Sequence, residues 1–388
     1  MIFKTYKMEE ALESLIDYRG KTPQKSDEGI MTLSAKSVRD GYIDYSQCYY
    51  ISQEEYDRFM VRGFPKIGDV LMTTEAPLGV TARLDRDDVA LAQRLLTLRG
   101  KHGVLDTGYL YYYLRSPLGQ TKLLERQTGT TVTGIKQAEF RKIEIDLPSV
   151  DIQRKVASFL ETIDEKIVAN KKINKNLEQQ AALIFNSWLC HCTDSTTIGN
   201  LSNNILDYTP VAKKMIRLLN SSDVTDGIFT TAPLVPNVDL KGHFKKRFQF
   251  GDILYSEIRP RNHHHGFVLF DASDYIASTR LMVIRAIADR VSPAVLYQYI
   301  LLPEVETEFT LKTESRSGTF PQGNYADMAS IEVPYAPIEK QSEISITLAR
   351  IRQTITLNLL ENLRLSELRD ALLPKLMSGE LDVSNLDL

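Results

Sequence analysis

Residues 152–188 read IQRKVASFLETIDEKIVANKKINKNLEQQAALIFNSW, and the spacing of their apolar positions decides the architecture. Val156, Leu160, Ile163, Ile167, Asn170, Asn174, Leu177, Ala181, Ile184 and Trp188 recur at alternating intervals of four and three, the heptad seam of a coiled coil. A continuous helix over this stretch runs about 55 Å at about 1.5 Å per residue, far longer than an ordinary domain helix. Such a helix needs a second helix to cover its stripe. After Pro337 the chain supplies one, with a seam of Ile344, Leu348, Ile351, Ile355, Asn358, Asn362, Leu365, Arg369, Leu372 and Leu376. The charged Arg369 and the helix-ending Pro374 predict that this copy frays or stops near Leu373.

The two helices belong to a larger repeat. Ser37-Val38-Arg39-Asp40-Gly41 returns 186 residues later as Asp223-Val224-Thr225-Asp226-Gly227, and Gly68-Asp69-Val70-Leu71 returns as Gly251-Asp252-Ile253-Leu254. Arg94-Leu95 matches Arg280-Leu281, Tyr111-Tyr112-Tyr113-Leu114 matches Tyr297-Gln298-Tyr299-Ile300, and Ile143-Glu144-Ile145 matches Ile331-Glu332-Val333. Each half opens with short β-branched and aromatic runs broken by Gly, Pro and Asp turns, the pattern of an α+β globular domain, and closes in the long helix. The expected fold is two tandem α+β domains joined by two long antiparallel coiled-coil helices, related by an internal pseudo-twofold axis. Asn at a seam position costs stability and fixes register where two such residues can bond each other. Near the helix midpoints, Asn170 and Asn174 are therefore expected to meet Asn358 and Asn362. The resulting expectation is a rod with a domain at each end.

Composition excludes several classes. With 388 residues and 43% hydrophobic content, the chain is neither disordered nor collagen-like. Met1 to Lys7 runs into the acidic Glu9-Glu10, not the layout of a signal peptide, and no stretch reaches the length of a membrane span. Cys48, Cys190 and Cys192 are too few and too unevenly placed for a disulfide framework, which suits a reducing cytoplasm. A net charge of -3 counts against a simple nucleic-acid binder unless basic residues cluster locally or partners supply phosphate contacts.

Three segments carry a resemblance over essentially the whole chain: Asp17-Tyr18-Arg19-Gly20-Lys21-Thr22-Pro23, the junction from Ile143 through Pro148 to Gln153, and Leu372-Leu373-Pro374 through Gly379 to Leu381. With the repeat and the two helices, they resemble the specificity subunits of type I restriction-modification systems. At the junctions the first copy keeps Pro148 and Gln153 but has Ser149 and Ile152, and the second keeps Pro337 and Gln341 but has Lys340. The resemblance implies target-recognition domains at 1–147 and 189–335, a central long helix at 148–188, a distal one at 336–376, and a tail at 377–388. It implies a bipartite, asymmetric site in double-stranded DNA with an unread spacer set by the helices. Two modification subunits would carry S-adenosylmethionine, restriction subunits would use ATP and Mg, and the complex would serve defence against foreign DNA. This chain would direct them without catalysis and bind no cofactor itself.

The residues support that absence of chemistry. The chain has no Pro-Pro dipeptide for an adenine-methylating loop, and Gly20-Lys21-Thr22 lacks the earlier glycine of a phosphate-binding loop, where Leu15 stands instead. Nothing fits GxGxxG, HExxH or a paired CxxC. His263-His264-His265 reads as a polar loop, because three adjacent side chains cannot all converge on one ion, and Cys190-His191-Cys192 shares that weakness. Neither is assigned a metal.

Sequence readout draws on Arg, Lys, Asn or Gln at base edges, and Lys, Arg and hydroxyl residues position phosphates. The candidates in the first half are Arg19, Lys21, Thr22, Lys36 and Arg39, with Thr130, Thr131 and Lys136 in the loop Thr128–Gln137. Those in the second half are Lys213, Lys214, Lys245, Lys246, Arg247, Arg259, Arg261, Arg316, Thr319 and Gln322. Arg94 and Arg280 read equally well as members of structural ion pairs, and the Tyr111–Tyr113 cluster as core. Two other classes stay open on the residues alone. One is an autonomous coiled-coil DNA-binding regulator, which would bind DNA without partners; the other is an adaptor with no nucleic-acid role, which would show no salt-dependent binding.

The helix reading carries a direct test. Four residues inserted into each long helix add about 6 Å to each. The spacer of the methylated target, mapped by long-read sequencing, is expected to lengthen, and an unchanged spacer would contradict the helices' role in setting it.

Overall fold

A computed structural model describes residues 2–129, 133–230, 232–238, 240, 242–314 and 322–384. The chain divides into two compact units, Met1–Ile167 with Arg364–Leu388, and Val168–Leu363. Both mix helix and sheet, and each is built around one four-stranded antiparallel sheet.

In the first unit that sheet runs in the order Leu12–Asp17, Leu95–Gly100, Val70–Thr73, Thr81–Arg83. Val70 to Thr73 are all buried, so the strand is covered on both faces and reads as a continuous apolar run rather than an alternating one. A three-stranded sheet places Ile30–Leu33 between Tyr49–Ile51, antiparallel, and Val89–Leu91, parallel. Lys4–Lys7 pairs with Glu144–Leu147, which ties the start of the chain to the strand before the long helix. The helix Thr107–Arg115, capped by Asp106 on the Tyr109 amide at 3.0 Å, buries Tyr109, Tyr111, Tyr112 and Tyr113 in the core.

The second unit has the corresponding order: Ser202–Asn204, Leu281–Ala286, Ile253–Ser256, His265–Phe267. Asp194–Thr197 pairs with Glu332–Tyr335, and a parallel pair joins Met215–Leu219 to Tyr275–Ser278. Here Ser292 caps the helix Pro293–Ile300, which buries Tyr297 and Tyr299.

Two elements of the repeat have a clear structural reason. Asp69 and Asp252 each close a turn by accepting a backbone amide three residues earlier, from Lys66 and Gln249, both at 2.8 Å. Each is also buried against an arginine fork, Arg99 at 2.7 and 2.7 Å and Arg285 at 2.7 and 2.8 Å. Burial of a carboxylate is tolerable only with such pairing. The preceding Gly68 and Gly251 adopt φ of 90° and 88°, where a side chain is strained.

The second reason is a pair of glutamines. Gln153 and Gln341 are fully buried. Gln153 accepts the Asp106 amide at 2.8 Å and donates to the Val104 and Pro148 carbonyls at 2.9 and 2.9 Å. Gln341 accepts the Ser292 amide at 3.2 Å and donates to Arg290 and Ala336 at 2.9 and 2.8 Å.

The long helices span Val150–Leu189 and Ser342–Ser378. Contrary to the sequence expectation, the second does not stop near Leu373; Pro374 lies inside it. Leu373, Leu376 and Met377 are buried with the tyrosine helix of the first unit, and that packing carries the helix past the amide that proline lacks. The charged seam position is satisfied as well, since Arg369 pairs with Asp164 at 2.7 Å. In the first helix the seam shifts at its end: Phe185 is fully buried against Tyr299, and Ile184 is exposed. An α-helix drifts relative to a strict heptad, and a step of four from Ala181 reaches the core where a step of three does not.

Within the second unit Asn170 donates to Asn362 at 2.9 Å and to Glu361 at 2.7 Å. Asn358 donates to Asn174 at 2.7 Å, and Asn174 donates to the Ile355 carbonyl at 3.3 Å. As one number rises by four the other falls by four, so these helix segments run antiparallel. Among the described residues, no helix is long and apolar enough to cross a membrane.

Gln153→Leu keeps approximate volume but strands one buried and two part-buried backbone groups. It is expected to destabilise the protein by about 3 kcal/mol, read as a lower urea midpoint, whereas Glu165→Ala on the exposed face shifts it by less than about 0.5 kcal/mol.

Candidate nucleic-acid interface

In the first unit the turn after the edge strand and the loop before the junction meet. Arg19 Nη2 donates to the Ile135 carbonyl at 2.7 Å, and the Asp17 carboxylate holds the Arg19 amide at 2.8 Å. The Ile135 amide donates to the Thr74 carbonyl at 2.9 Å, and the Thr74 amide to the Arg94 carbonyl at 3.0 Å. Three loops distant in sequence are thus stitched by backbone bonds, placing Arg19, Arg94 and the exposed Lys136 in one neighbourhood. The loop itself closes through reciprocal Thr128–Gly134 bonds of 2.7 and 3.0 Å. Thr130 and Thr131 lie outside the described residues.

Sequence reasoning missed Arg62, whose Nη1 donates to the carbonyls of Asp17 at 2.9 Å and Arg19 at 3.1 Å. It lies in an exposed bend, and the offset of the Gly-Asp repeat sets the basic Lys245 opposite it. Arg94 pairs with Glu75 at 2.7 Å, while its backbone does the stitching. Lys21, Thr22 and Lys36 are exposed, and Arg39 is exposed beside Asp44 at 3.7 Å.

The second unit makes the same stitch. The Glu257 amide donates to the Arg280 carbonyl at 2.9 Å, and the Gly323 amide to the Glu257 carbonyl at 2.8 Å. Gln322 bridges Ile258 and reaches Glu257 with its side chain at 3.3 Å. This neighbourhood contains Arg259, and Arg261 pairs with Glu314 at 2.8 Å. Lys213 and Lys214 are exposed just before the strand Met215–Leu219, with Lys213 donating to Ser273 at 2.7 Å. Lys245 is exposed and Arg247 half-buried; Arg316 and Thr319 lie outside the described residues.

Lys246 requires a correction. Only 3% of it is exposed, its ammonium donates to the Leu281 carbonyl at 2.8 Å, and Glu257 lies at 3.6 Å. Burial pushes its pKa below the ordinary lysine value, opposed by the Glu257 charge. Strand alternation explains the contrast with Lys245, since neighbouring residues face opposite sides of the sheet. Its role is structural: it neutralises the carboxylate beside the stitched loop.

The histidines also separate. His264 contacts Thr225 Oγ1 at 2.8 Å and the Val224 carbonyl at 3.0 Å. His265 is buried, which drives its pKa down to about 3 and leaves it neutral. His263 is exposed beside Glu306 at 2.7 Å.

A family model described as the type I restriction modification DNA specificity domain matches residues 11–179 and 209–365. The HindI type I restriction enzyme specificity subunit of Haemophilus influenzae is 34% identical over 179 residues, covering 45% of this chain and 39% of that protein. The MjaIX specificity subunit of Methanocaldococcus jannaschii is 25% identical over 362 residues, covering 87% of this chain and 82% of that protein. A crystal structure of a type I restriction-modification S subunit from M. genitalium shares the fold, with a TM-score of 0.62 at 15% identity over 97% of this chain and 96% of that one.

The lysine pair provides a check on this site. A water-soluble amine-reactive reagent is expected to label Lys245 in the folded protein at least about tenfold faster than Lys246, following their exposure. Equal labelling by mass spectrometry would return Lys246 to the exposed surface.

Proposed function

The chain belongs to the type I restriction-modification DNA specificity family, and from that membership we propose that it reads a bipartite, asymmetric DNA target for methyltransferase and restriction subunits. The observation that carries the proposal is the stitched loop cluster made twice. In each unit, Arg94 or Arg280, the loop after the third sheet strand, and the loop before the junction are joined by equivalent backbone bonds. Two separately built clusters suit two separately read half-sites. Arg19 and Lys136 in one, and Arg259, Arg261 and Gln322 in the other, have the donors that phosphates and base edges accept.

In this reading the two target-recognition domains are joined by an antiparallel coiled coil of the long helices, which sets the unread spacer. Two modification subunits methylate adenine using S-adenosylmethionine, and restriction subunits use ATP and magnesium in the cytoplasm. The modest net charge of -3 fits a chain that shares phosphate contacts with partners. The chain supplies address, not chemistry.

Co-expression with a modification subunit, followed by long-read mapping of methylated adenine, is expected to give a split motif with a fixed gap. Arg19→Ala with Lys136→Ala is expected to weaken DNA binding by the complex and flatten its salt dependence, each lost phosphate contact reducing the log–log slope by about 1. A stable complex that methylates nothing, or tight autonomous DNA binding by this chain, would overturn the proposal.

A further inference from the structure

The repeat relates two corners of the units that are chemically unlike. In the first, the Gly41 amide donates to Thr81 at 2.9 Å, and the neighbouring Asp40 carboxylate takes the Arg115 guanidinium at 3.1 Å. Arg115 also donates to the Tyr111 hydroxyl at 2.9 Å, so a cation bridges carboxylate and phenol. In the second unit the matching Gly227 amide donates to His265 at 2.9 Å, with Asp226 beside it and Tyr297 in the place of Tyr111. Leu301 stands where the sequence offset puts the arginine, and His263 and His265 are new.

Potential ligand atoms of Asp226, His263 and His265 lie within 4.8 Å of one another. His263, in a left-handed turn, and His265, which opens the next strand, come to one place while His264 turns to Thr225, so two of the three adjacent histidines do converge, with the third ligand supplied by the repeated Asp-Gly turn. Nδ1 of His263 is held by Glu306 at 2.7 Å, and Nδ1 of His265 meets the Tyr297 hydroxyl at 3.0 Å. That leaves Nε2 of each ring for an ion, with the outer nitrogen engaged as metal-bound imidazoles ordinarily are. Among the described residues the Asp226 side chain makes no hydrogen bond, and its amide donates to the His263 carbonyl at 2.8 Å, which holds the two turns together. Arg352, the nearby cation, is directed to Gln298 at 3.0 Å and lies over the Tyr297 ring.

We propose that Asp226, His263 and His265 bind one divalent ion of the zinc class, with Glu306 and Tyr297 orienting the two imidazoles. Two imidazoles and a carboxylate suit that class and leave a coordination position open on the exposed side. The ion replaces the guanidinium of the first unit and pins the 259–263 turn, which carries Arg259 and Arg261, to the sheet.

The test uses the full purified chain, stripped with chelator and titrated with Zn2+ by calorimetry and with Co2+ by visible absorption. One ion per chain is expected, with Co2+ bands of a low-coordinate nitrogen and oxygen site. Asp226→Asn and His263→Asn, both tolerant of the left-handed backbone at φ of 49° and 50°, are expected to weaken binding at least about tenfold without lowering the metal-free melting temperature. Glu306→Gln is expected to weaken it while retaining the Co2+ bands, as a positioning residue should. No stoichiometric binding by the unaltered chain, full affinity in the Asp226→Asn/His263→Asn double variant, or loss of binding in Cys190→Ser/Cys192→Ser instead would overturn the proposal.

Discussion

A buried carboxamide holds the start of each long helix to the unit beneath it. Gln153 and Gln341 each satisfy one amide and one carbonyl in the loop before the tyrosine helix and one carbonyl in the turn into the long helix. Buried backbone groups cannot be left without partners, and no apolar residue of that size offers both donor and acceptor. The clamp fixes where the helix begins relative to the tyrosine helix through Asp106 and Ser292, which are themselves its caps. Helix start, cap and core thus depend on one side chain, and everything hung on the helix inherits that position.

Much of the fold was legible because such constraints act locally. The Gly-Asp repeat marks a turn and a buried Asp–Arg fork, and the Gln of each junction marks the clamp; both leave fixed letters at fixed offsets. Heptad spacing revealed the helices. Arg369 and Pro374 misplaced the end of the second, because a proline weighs locally while Leu373, Leu376 and Met377 gain from burial against residues hundreds of positions away in sequence. The Phe185 shift escaped for the same reason: which of two apolar neighbours faces inward is set by the aromatic ring opposite.

The site was less legible. A basic residue in a string of letters carries no record of which strand face it occupies, and Lys245 and Lys246 differ only in that. The convergence of Arg19 with the loop ending at Lys136 depends on a 2.7 Å bond to a backbone carbonyl, which leaves no mark in residue type. Repetition was the available signal, and it pointed to Arg94 and Arg280, whose contribution is a carbonyl rather than a charge.

That use of the backbone has a functional logic. Loops joined through main-chain amides and carbonyls keep their positions when side chains change, apart from proline at the donating residues. The two units illustrate it. Thr74 and Glu257 are chemically different yet donate and accept in the same stitch. A scaffold that fixes loops without specifying their side chains lets the presented chemistry change while the fold is retained. Glu257 shows the constraint that remains: a carboxylate introduced beside the stitch needs a counter-charge, and the buried Lys246 supplies it at 3.6 Å.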